Sequence, residues 1–128
     1  MSIAGQLRVM VVDDMSVSRG LIIQALDWMG IKNVDHCADG ETAFRRLAAS
    51  PVHLVVSDYN MPGTDGLTLL EGLRKYAATQ RIGFILVTGT TDAKVIERGH
   101  GLGMNNYIKK PFSPEGLKAC IERVVGRL

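Results

Sequence analysis

The 128-residue chain is 46% hydrophobic and 22% charged, and its 15 Lys and Arg against 13 Asp and Glu give a formal net charge of +2. This length suits one domain with a sizeable core, so we expect a single domain over residues 1–128 without an output domain. The basic side chains are scattered, and no apolar stretch approaches the roughly 18 residues that span a bilayer, so neither nucleic acid nor membrane is expected as a partner.

Strand and helix patterns alternate through the first half of the chain. An apolar run at 7–12 predicts a strand, and apolar residues at helical spacing predict a helix ended by Gly30. A strand at 33–38, a helix at 39–50 opened by Asp39 and a strand at 52–57 follow. The apolar positions of the first helix are Val17, Leu21, Ile22, Ala25, Leu26 and Met29.

The same alternation continues to the end of the chain. Asp65 is placed to cap a helix at 66–77, and the run at 82–87 predicts a strand. Asp92 can cap a helix at 93–101, 105–109 predicts the last strand, and Ser113 with Pro114 opens the last helix. Five strands alternating with five helices predict a parallel sheet covered on both faces, a three-layer α/β sandwich.

The residues that end the predicted strands are polar. In such a sheet, ligands bind outside the carboxyl ends of the strands. Each of these residues alone has an ordinary explanation: Asp14 or Ser16 can cap a helix, Asp58 can start a turn, and Thr88 can finish a strand. The whole set is Asp13, Asp14, Asp58, Thr88, Lys109 and Lys110.

Taken together, these side chains predict a metal-assisted phosphoryl site. Three carboxylates in one crevice repel each other unless a cation intervenes, and Mg²⁺ prefers oxygen ligands together with a phosphate. Asp58 can then act as a nucleophile that forms an acyl phosphate. Lys110 and Thr88 can neutralise and hydrogen-bond the phosphoryl oxygens.

Four motifs carry a resemblance to a known family. "VVDD" at 11–14, "SDYNMPGTDG" at 57–66, "VTG" at 87–89 and "YIKKPF" at 107–112 resemble the signature of response-regulator receiver domains. The resemblance covers the whole chain and implies the flavodoxin-like, CheY-like fold with strand order 2-1-3-4-5. The wording "DYNMP" and the length resemble the single-domain chemotaxis members of this family.

The resemblance assigns roles to individual residues. It implies that Asp58 is the phosphoacceptor, that Asp13, Asp14 and Asp58 hold Mg²⁺ with the backbone carbonyl of Asn60, and that Thr88 and Lys110 contact the phosphoryl group. It selects Lys110 over Lys109, because the functional lysine directly precedes proline, and it implies a cis bond between Lys110 and Pro111. Tyr107 takes the position of an aromatic switch residue that moves with Thr88, and Asn60 and Thr90 take positions that set the rate of slow self-hydrolysis.

The resemblance also implies partners. A chemotaxis-type histidine kinase would donate the phosphoryl group, the phosphorylated form would bind the flagellar motor switch protein, and a phosphatase is a further partner of what is expected to be a monomer. A phosphorelay shuttle or a phosphate sink would use the same Asp58. An aspartyl phosphatase is disfavoured because "DD" replaces the "DxD" motif of such enzymes, and a nucleotide-binding module is disfavoured because no glycine-rich loop follows the first strand.

Three further residue groups receive expectations outside this site. Cys37 and Cys120 match no metal-ligand spacing and are expected as reduced thiols, which favours the cytoplasm. The histidines His36, His53 and His100 are expected to be structural or exposed. The glycines Gly99, Gly101 and Gly103 near the end of the fourth helix predict a shortened or mobile helix.

Overall fold

Five strands alternate with five helices in the computed structural model, which describes residues 3–89 and 92–128. The strands are β1 (Arg8–Val12), β2 (Asn33–Cys37), β3 (Leu54–Asp58), β4 (Gly83–Thr88) and β5 (Asn106–Lys109). The helices are α1 (Ser16–Trp28), α2 (Gly40–Ala49), α3 (Gly66–Lys75), α4 (Ala93–Gly101) and α5 (Pro114–Val125). A short 3₁₀ turn at Ile3–Gly5 precedes β1. None of the helices described is long and apolar enough to cross a membrane.

The strands form one parallel sheet in the order β2-β1-β3-β4-β5, which confirms the predicted architecture. The central strand β3 is buried at every position, whereas β2 at one edge buries only Cys37 fully. Neighbouring strands are in a register that brings their carboxyl ends to a common edge. Val12 lies opposite Ser57, Asp58 opposite Val87, and Thr88 opposite Lys109.

Successive side chains along the strands pack alternately into two hydrophobic cores, one on each face of the sheet. On one face, Val11, Val56 and Val87 pack with residues of α1 and α5. On the other face, side chains such as Val55 and Phe84 pack with residues of α2 and α3, with α4 at the margin. Because successive strand residues point to opposite faces, continuous apolar strands are what a sheet covered on both sides requires.

Four of the five helices begin with the side-chain cap that the sequence predicts. In each case the cap oxygen accepts a hydrogen bond from a backbone N–H in the first turn, which satisfies a group that has no partner within the helix. The caps and their donors are Asp39 to Thr42, Asp65 to Thr68, Asp92 to Lys94, and Ser113 to Gly116.

Helix α1 differs from the prediction in its cap and in its outward face. Its N-cap is Met15, with no side-chain cap bond, so neither Asp14 nor Ser16 caps it. Val17 is 74% exposed and Leu21 57% exposed, although both continue the apolar pattern of buried Ile22 and Leu26. The apolar stripe of α1 is therefore wider than the part that faces the core. The N-cap Met15 and Trp28, the last residue of α1, are exposed as well.

Two of the three glycines near the end of α4, Gly99 and Gly103, have packing roles that the sequence did not reveal. Gly99 is buried, and a Cβ there would lie 2.7 Å from Met104 Sδ. Gly103 has a φ of +88°, a conformation that favours glycine, and its carbonyl accepts hydrogen bonds from the Arg74 guanidinium. The nine-residue helix is thus held at its end, and its mobility stays a prediction.

Candidate functional site

The carboxyl edge of the sheet gathers the polar residues that the sequence predicts to act together. Asp13 directly follows β1, Asp58 ends β3, Thr88 ends β4, and Lys110 directly follows β5. Asp13 is 0% exposed, Asp58 5% and Thr88 1%, whereas Asp14 is exposed. The backbone N–H of Lys110 donates to the Thr88 carbonyl at 2.8 Å, which continues the β4–β5 ladder up to the lysine.

Three carboxylates form one cluster at this edge. Each of Asp13, Asp14 and Asp58 offers an oxygen, and these oxygens all lie within 4.8 Å of one another. Two of the three side chains are buried and one faces solvent. Hard oxygen donors at this spacing, open to water on one side, fit Mg²⁺, which takes one or two carboxylates and keeps several water ligands.

Lys110 supplies a positive charge next to the cluster. Its Nζ lies 3.0 Å from Asp58 Oδ1 and 3.8 Å from Asp13 Oδ2, with its side chain 30% exposed. The bond between Lys110 and Pro111 is cis, as the resemblance implied. Lys109, the alternative lysine, lies exposed on β5.

The electrostatics of Asp58 reflect its burial. Loss of solvation raises the pKa of the Asp58 carboxyl, the hydrogen bond and charge of Lys110 lower it, and the neighbouring Asp13 carboxylate raises it again, so that the pKa lies above its usual value. The ionised form that a nucleophile needs is therefore held at an energetic cost. A divalent cation between the carboxylates would lower that cost.

Asp13 is fixed by contacts that sequence reasoning missed. Its Oδ1 accepts from the Met15 N–H at 3.0 Å, its Oδ2 accepts from the Ser18 hydroxyl, and its carbonyl accepts from Arg19 Nη1 at 2.8 Å. Ser18 also accepts a hydrogen bond from Lys110 Nζ at 3.0 Å. Ser18 is the third residue of α1, and polar side chains at this position of a helix often bond back to the residues just before it. This positional preference could have predicted the contact with Asp13 from the sequence.

Gly66 is a second residue of the site that the sequence did not single out. It begins α3, and its N–H donates to the Tyr59 carbonyl at 3.0 Å. A Cβ at this position would lie 2.5 Å from the Asp58 carbonyl oxygen. Glycine is therefore required for α3 to start directly against the acceptor strand.

The other residues that the sequence singled out differ in their exposure and contacts. Asn60 is exposed in the loop after β3, and Thr90 lies outside the described residues. Tyr107 is 39% exposed, and its ring meets the His100 ring edge to face at a centroid distance of 6.5 Å. Of the other two histidines, His36 is exposed, and exposed His53 accepts a hydrogen bond from the Arg8 N–H.

An open groove of about 770 Å³ adjoins Lys110. It runs between α1 and the start of α5, and its lining is mainly apolar. The exposed α1 side chains described above line it together with Pro111 and Phe112. An apolar surface therefore lies beside Lys110.

Comparison with known proteins identifies the family of this chain. Residues 9–122 match the family model described as the response regulator receiver domain. The chain belongs to this family. A probable chemotaxis protein CheY of Rhizobium etli is 41% identical to it over 128 residues, which is 100% of this chain and 99% of the relative. The chemotaxis protein CheY-3 of Vibrio cholerae is 30% identical over 122 residues, covering 95% and 94% of the two chains.

Solved receiver domains have the same fold. The chemotaxis protein CheY4 of Vibrio cholerae superposes with a TM-score of 0.85 at 26% identity, covering 92% of this chain and 98% of that one. The receiver domain of the sensor histidine kinase PA1611 from Pseudomonas aeruginosa, solved with a magnesium ion coordinated in its active-site cleft, gives a TM-score of 0.84 at 26% identity, with 94% and 98% covered.

The chain is accordingly a CheY-type receiver domain of two-component signalling. Receiver domains of this type are phosphoacceptors rather than enzymes, work with histidine kinases, and typically bind Mg²⁺ at an acidic site. In this chain, Asp13, Asp14 and Asp58 form an acidic cluster at the carboxyl edge of the sheet.

Proposed function

We propose that this protein is a stand-alone response regulator that takes a phosphoryl group on Asp58 from a chemotaxis-type histidine kinase and then binds the flagellar motor switch protein. The observation that carries the proposal is the geometry around Asp58. Its carboxylate is buried at the end of the central strand, 3.0 Å from an ammonium group and close to two further carboxylates. The similarity to proteins named for chemotaxis supports the choice of pathway.

In this proposal Asp13, Asp14 and Asp58 hold Mg²⁺ together with the backbone carbonyl of Asn60. The ion would neutralise charge that develops on the phosphoryl oxygens. The coordinated magnesium ion of the Pseudomonas aeruginosa receiver domain supports this assignment. Burial of Asp13 and Asp58 supports it as well, because the single charge of the Lys110 ammonium cannot balance two buried carboxylates and the nearby Asp14.

The chain's own residues divide the work of phosphoryl transfer. An Asp58 carboxylate oxygen attacks phosphorus, a new P–O bond forms, and the P–N bond to the kinase histidine breaks with its electron pair leaving on the imidazole nitrogen. Lys110 donates to a phosphoryl oxygen from its place beside Asp58, and the Thr88 hydroxyl donates from the end of β4. The product is an acyl phosphate, which water hydrolyses slowly back to Asp58 and inorganic phosphate.

The phosphoryl group would be read out through Thr88 and Tyr107. It adds negative charge and acceptor oxygens at Asp58, which attract the Thr88 hydroxyl. Tyr107 then leaves its partly exposed position against His100 and moves inward. The surface formed by α4, β5 and α5 changes as a population shift between two conformations, and the motor switch protein binds one of them.

The proposal places the protein in the cytoplasm as a monomer. The kinase phosphorylates it, the motor switch reads it, and a phosphatase accelerates the loss of the phosphoryl group. Asn60 and Thr90 set the slower rate of loss without the phosphatase.

The decisive experiment measures binding of an N-terminal motor-switch peptide in the presence of Mg²⁺, with and without beryllofluoride as a mimic of the phosphoryl group. We expect beryllofluoride to tighten binding to the wild type and to leave binding to Asp58→Asn unchanged. Unchanged binding by a wild-type protein whose Asp58 is proven to carry the mimic would overturn the motor-switch assignment. That outcome would point to a relay shuttle or a phosphate sink.

Tyr107→Ala tests the readout separately from the chemistry. We expect this variant to accept the phosphoryl group as the wild type does but to lose the tightening of peptide binding. His100→Ala is the matched control, because it removes the ring that Tyr107 contacts while leaving Tyr107 itself in place. Phosphate-dependent binding that survives Tyr107→Ala would show that the readout uses another route.

A further inference from the structure

Ser18 connects the two sides of the phosphoryl site. It lies half-buried in the first turn of α1, where its hydroxyl donates to Asp13 Oδ2. Ser18 Oγ also accepts a hydrogen bond from Lys110 Nζ at 3.0 Å, although Lys110 lies 92 positions away in the sequence. One hydroxyl group therefore joins a carboxylate of the acidic cluster to the ammonium group beside Asp58.

The direction of both hydrogen bonds follows from the chemistry of the three groups. A lysine ammonium only donates and an ionised carboxylate only accepts, whereas a serine hydroxyl has one proton to give and lone pairs to receive. The Ser18 hydroxyl therefore donates its proton to Asp13, and one of its lone pairs accepts the hydrogen bond from Lys110. No other arrangement of protons satisfies all three groups.

Without Ser18, Lys110 would have a weaker hold on its position. Its Nζ lies 3.0 Å from Asp58 Oδ1 but 3.8 Å from Asp13 Oδ2, which is too long for a hydrogen bond. Lysine is a flexible side chain with a compact charge, and this one is 30% exposed. Asp13, with an oxygen released by the serine, would become a competing partner for the ammonium group.

We propose that Ser18 is a positioning residue for phosphoryl transfer, which holds the Lys110 ammonium beside Asp58 and keeps it from pairing directly with Asp13. This inference rests on the proposed function of Asp58 and extends it. It assigns to α1 a part in the reaction that the strand-end residues alone do not supply. Ser18 acts through Lys110 and does not itself contact the phosphoryl group.

The first test is the rate of Asp58 phosphorylation by acetyl phosphate at saturating Mg²⁺. We expect Ser18→Ala to react about tenfold more slowly, in the range set by one lost hydrogen bond to a charged group. Ser18→Thr keeps a hydroxyl and should recover most of the rate. Ser16→Ala, an exposed serine of the same helix turn, is the matched control and should react like the wild type.

A double-mutant cycle separates positioning from a general structural effect. If Ser18 acts through Lys110, then adding Ser18→Ala to Lys110→Ala should change the rate less than about twofold. The affinity for Mg²⁺, measured by titration, should stay within about threefold of the wild type in Ser18→Ala. A full additional loss in the Lys110→Ala background would overturn the proposal, as would a rate loss explained entirely by weaker Mg²⁺ binding.

A second readout needs no phosphorylation. Reductive methylation followed by mass spectrometry reports how freely the Lys110 amine reacts, with exposed Lys109 as the internal reference. We expect Ser18→Ala to raise the Lys110-to-Lys109 labelling ratio about threefold or more. An unchanged ratio would overturn the positioning role. A raised ratio in a protein that acetyl phosphate does not modify would instead refute the proposed function, and would leave only the finding that Ser18 restrains the Lys110 ammonium.

Discussion

Gly66→Ala tests how tightly the acceptor strand is joined to helix α3. An added Cβ would lie 2.5 Å from the Asp58 carbonyl oxygen, 2.9 Å from Leu86 Cδ1 and 3.2 Å from Tyr59 Cα. The oxygen and the Cα are backbone atoms, which cannot rotate away as the leucine methyl can. The substitution must therefore push the start of α3 away from the end of β3.

The expected cost follows from that crowding. Overpacking a well-packed site costs about 1–3 kcal/mol, and the better helix propensity of alanine returns at most about 1 kcal/mol. Because the crowded atoms are mainly backbone, we expect a net loss of about 2 kcal/mol in the free energy of unfolding. Phosphorylation should also slow, since a displacement of about 1 Å at a reacting group can cost about 100-fold in rate.

Gly20→Ala provides the matched control. Gly20 lies inside α1, and a Cβ there would meet nothing within 4 Å. The same chemical change should therefore stabilise the protein by about 0.5–1 kcal/mol. Urea unfolding followed by circular dichroism measures both variants, and acetyl phosphate measures their phosphorylation. Equal stabilisation of both variants would show that the close approach at Gly66 imposes no constraint.

Three further outcomes are expected. Asp14→Asn should weaken Mg²⁺ binding at least about tenfold. Because Asp14 is exposed, the free energy of unfolding should change by less than about 0.5 kcal/mol. Equal Mg²⁺ affinities of the variant and the wild type in a titration would show that Asp14 is not a ligand. Arg74→Met should lower the free energy of unfolding by about 1–3 kcal/mol and speed amide exchange at the end of α4. The reason is that the partly buried guanidinium, whose pKa is lowered by burial, donates a hydrogen bond to the Gly103 carbonyl at 2.9 Å. Unchanged amide exchange would contradict this. Burial raises the pKa of the Cys120 thiol from 9.0 to about 11, so the unfolded chain loses this proton first as the pH rises, and the free energy of unfolding should fall between these two pH values. Cys120→Ala should show a shallower fall. Parallel curves of the free energy of unfolding against pH for the two proteins would refute the assignment.

The architecture could be predicted because local and global patterns agree in this sequence. Apolar strands alternate with capped helices, and Asp39, Asp65, Asp92 and Ser113 begin their helices where the capping rules place them. A parallel sheet then carries every strand end to the same edge. The meeting of Asp13, Asp58 and the other strand-end residues follows from topology alone.

The parts that could not be predicted depend on distances between segments. Val17 and Leu21 share the helical spacing of the core residues, and periodicity does not tell where the sheet surface stops. Gly99 suggests weakness in a helix when taken alone, and its role is seen only once Met104 packs against it. Ser18 needs both Asp13 and Lys110 in place before its hydroxyl has a function.

The structure brings the predicted strand-end residues to one edge of the sheet, but the residues that hold them in place were missed for the same reason. Sequence motifs identify groups that do chemistry, whereas the residues that hold those groups are recognised by contact. Gly66 illustrates this, since its importance lies in the absence of a side chain where two segments nearly touch.

The common direction of the helices has an electrostatic consequence for the whole molecule. Each of the five helices in the described part of the chain starts after the carboxyl end of a strand, so their first turns open toward the edge that holds Asp58. The peptide dipoles of a helix leave about half a positive charge at its first turn. The backbone therefore builds a positive potential around a pocket whose side chains are mostly acidic. This topology favours an arriving anion through the direction of its peptide bonds, independently of the side chains that line the pocket.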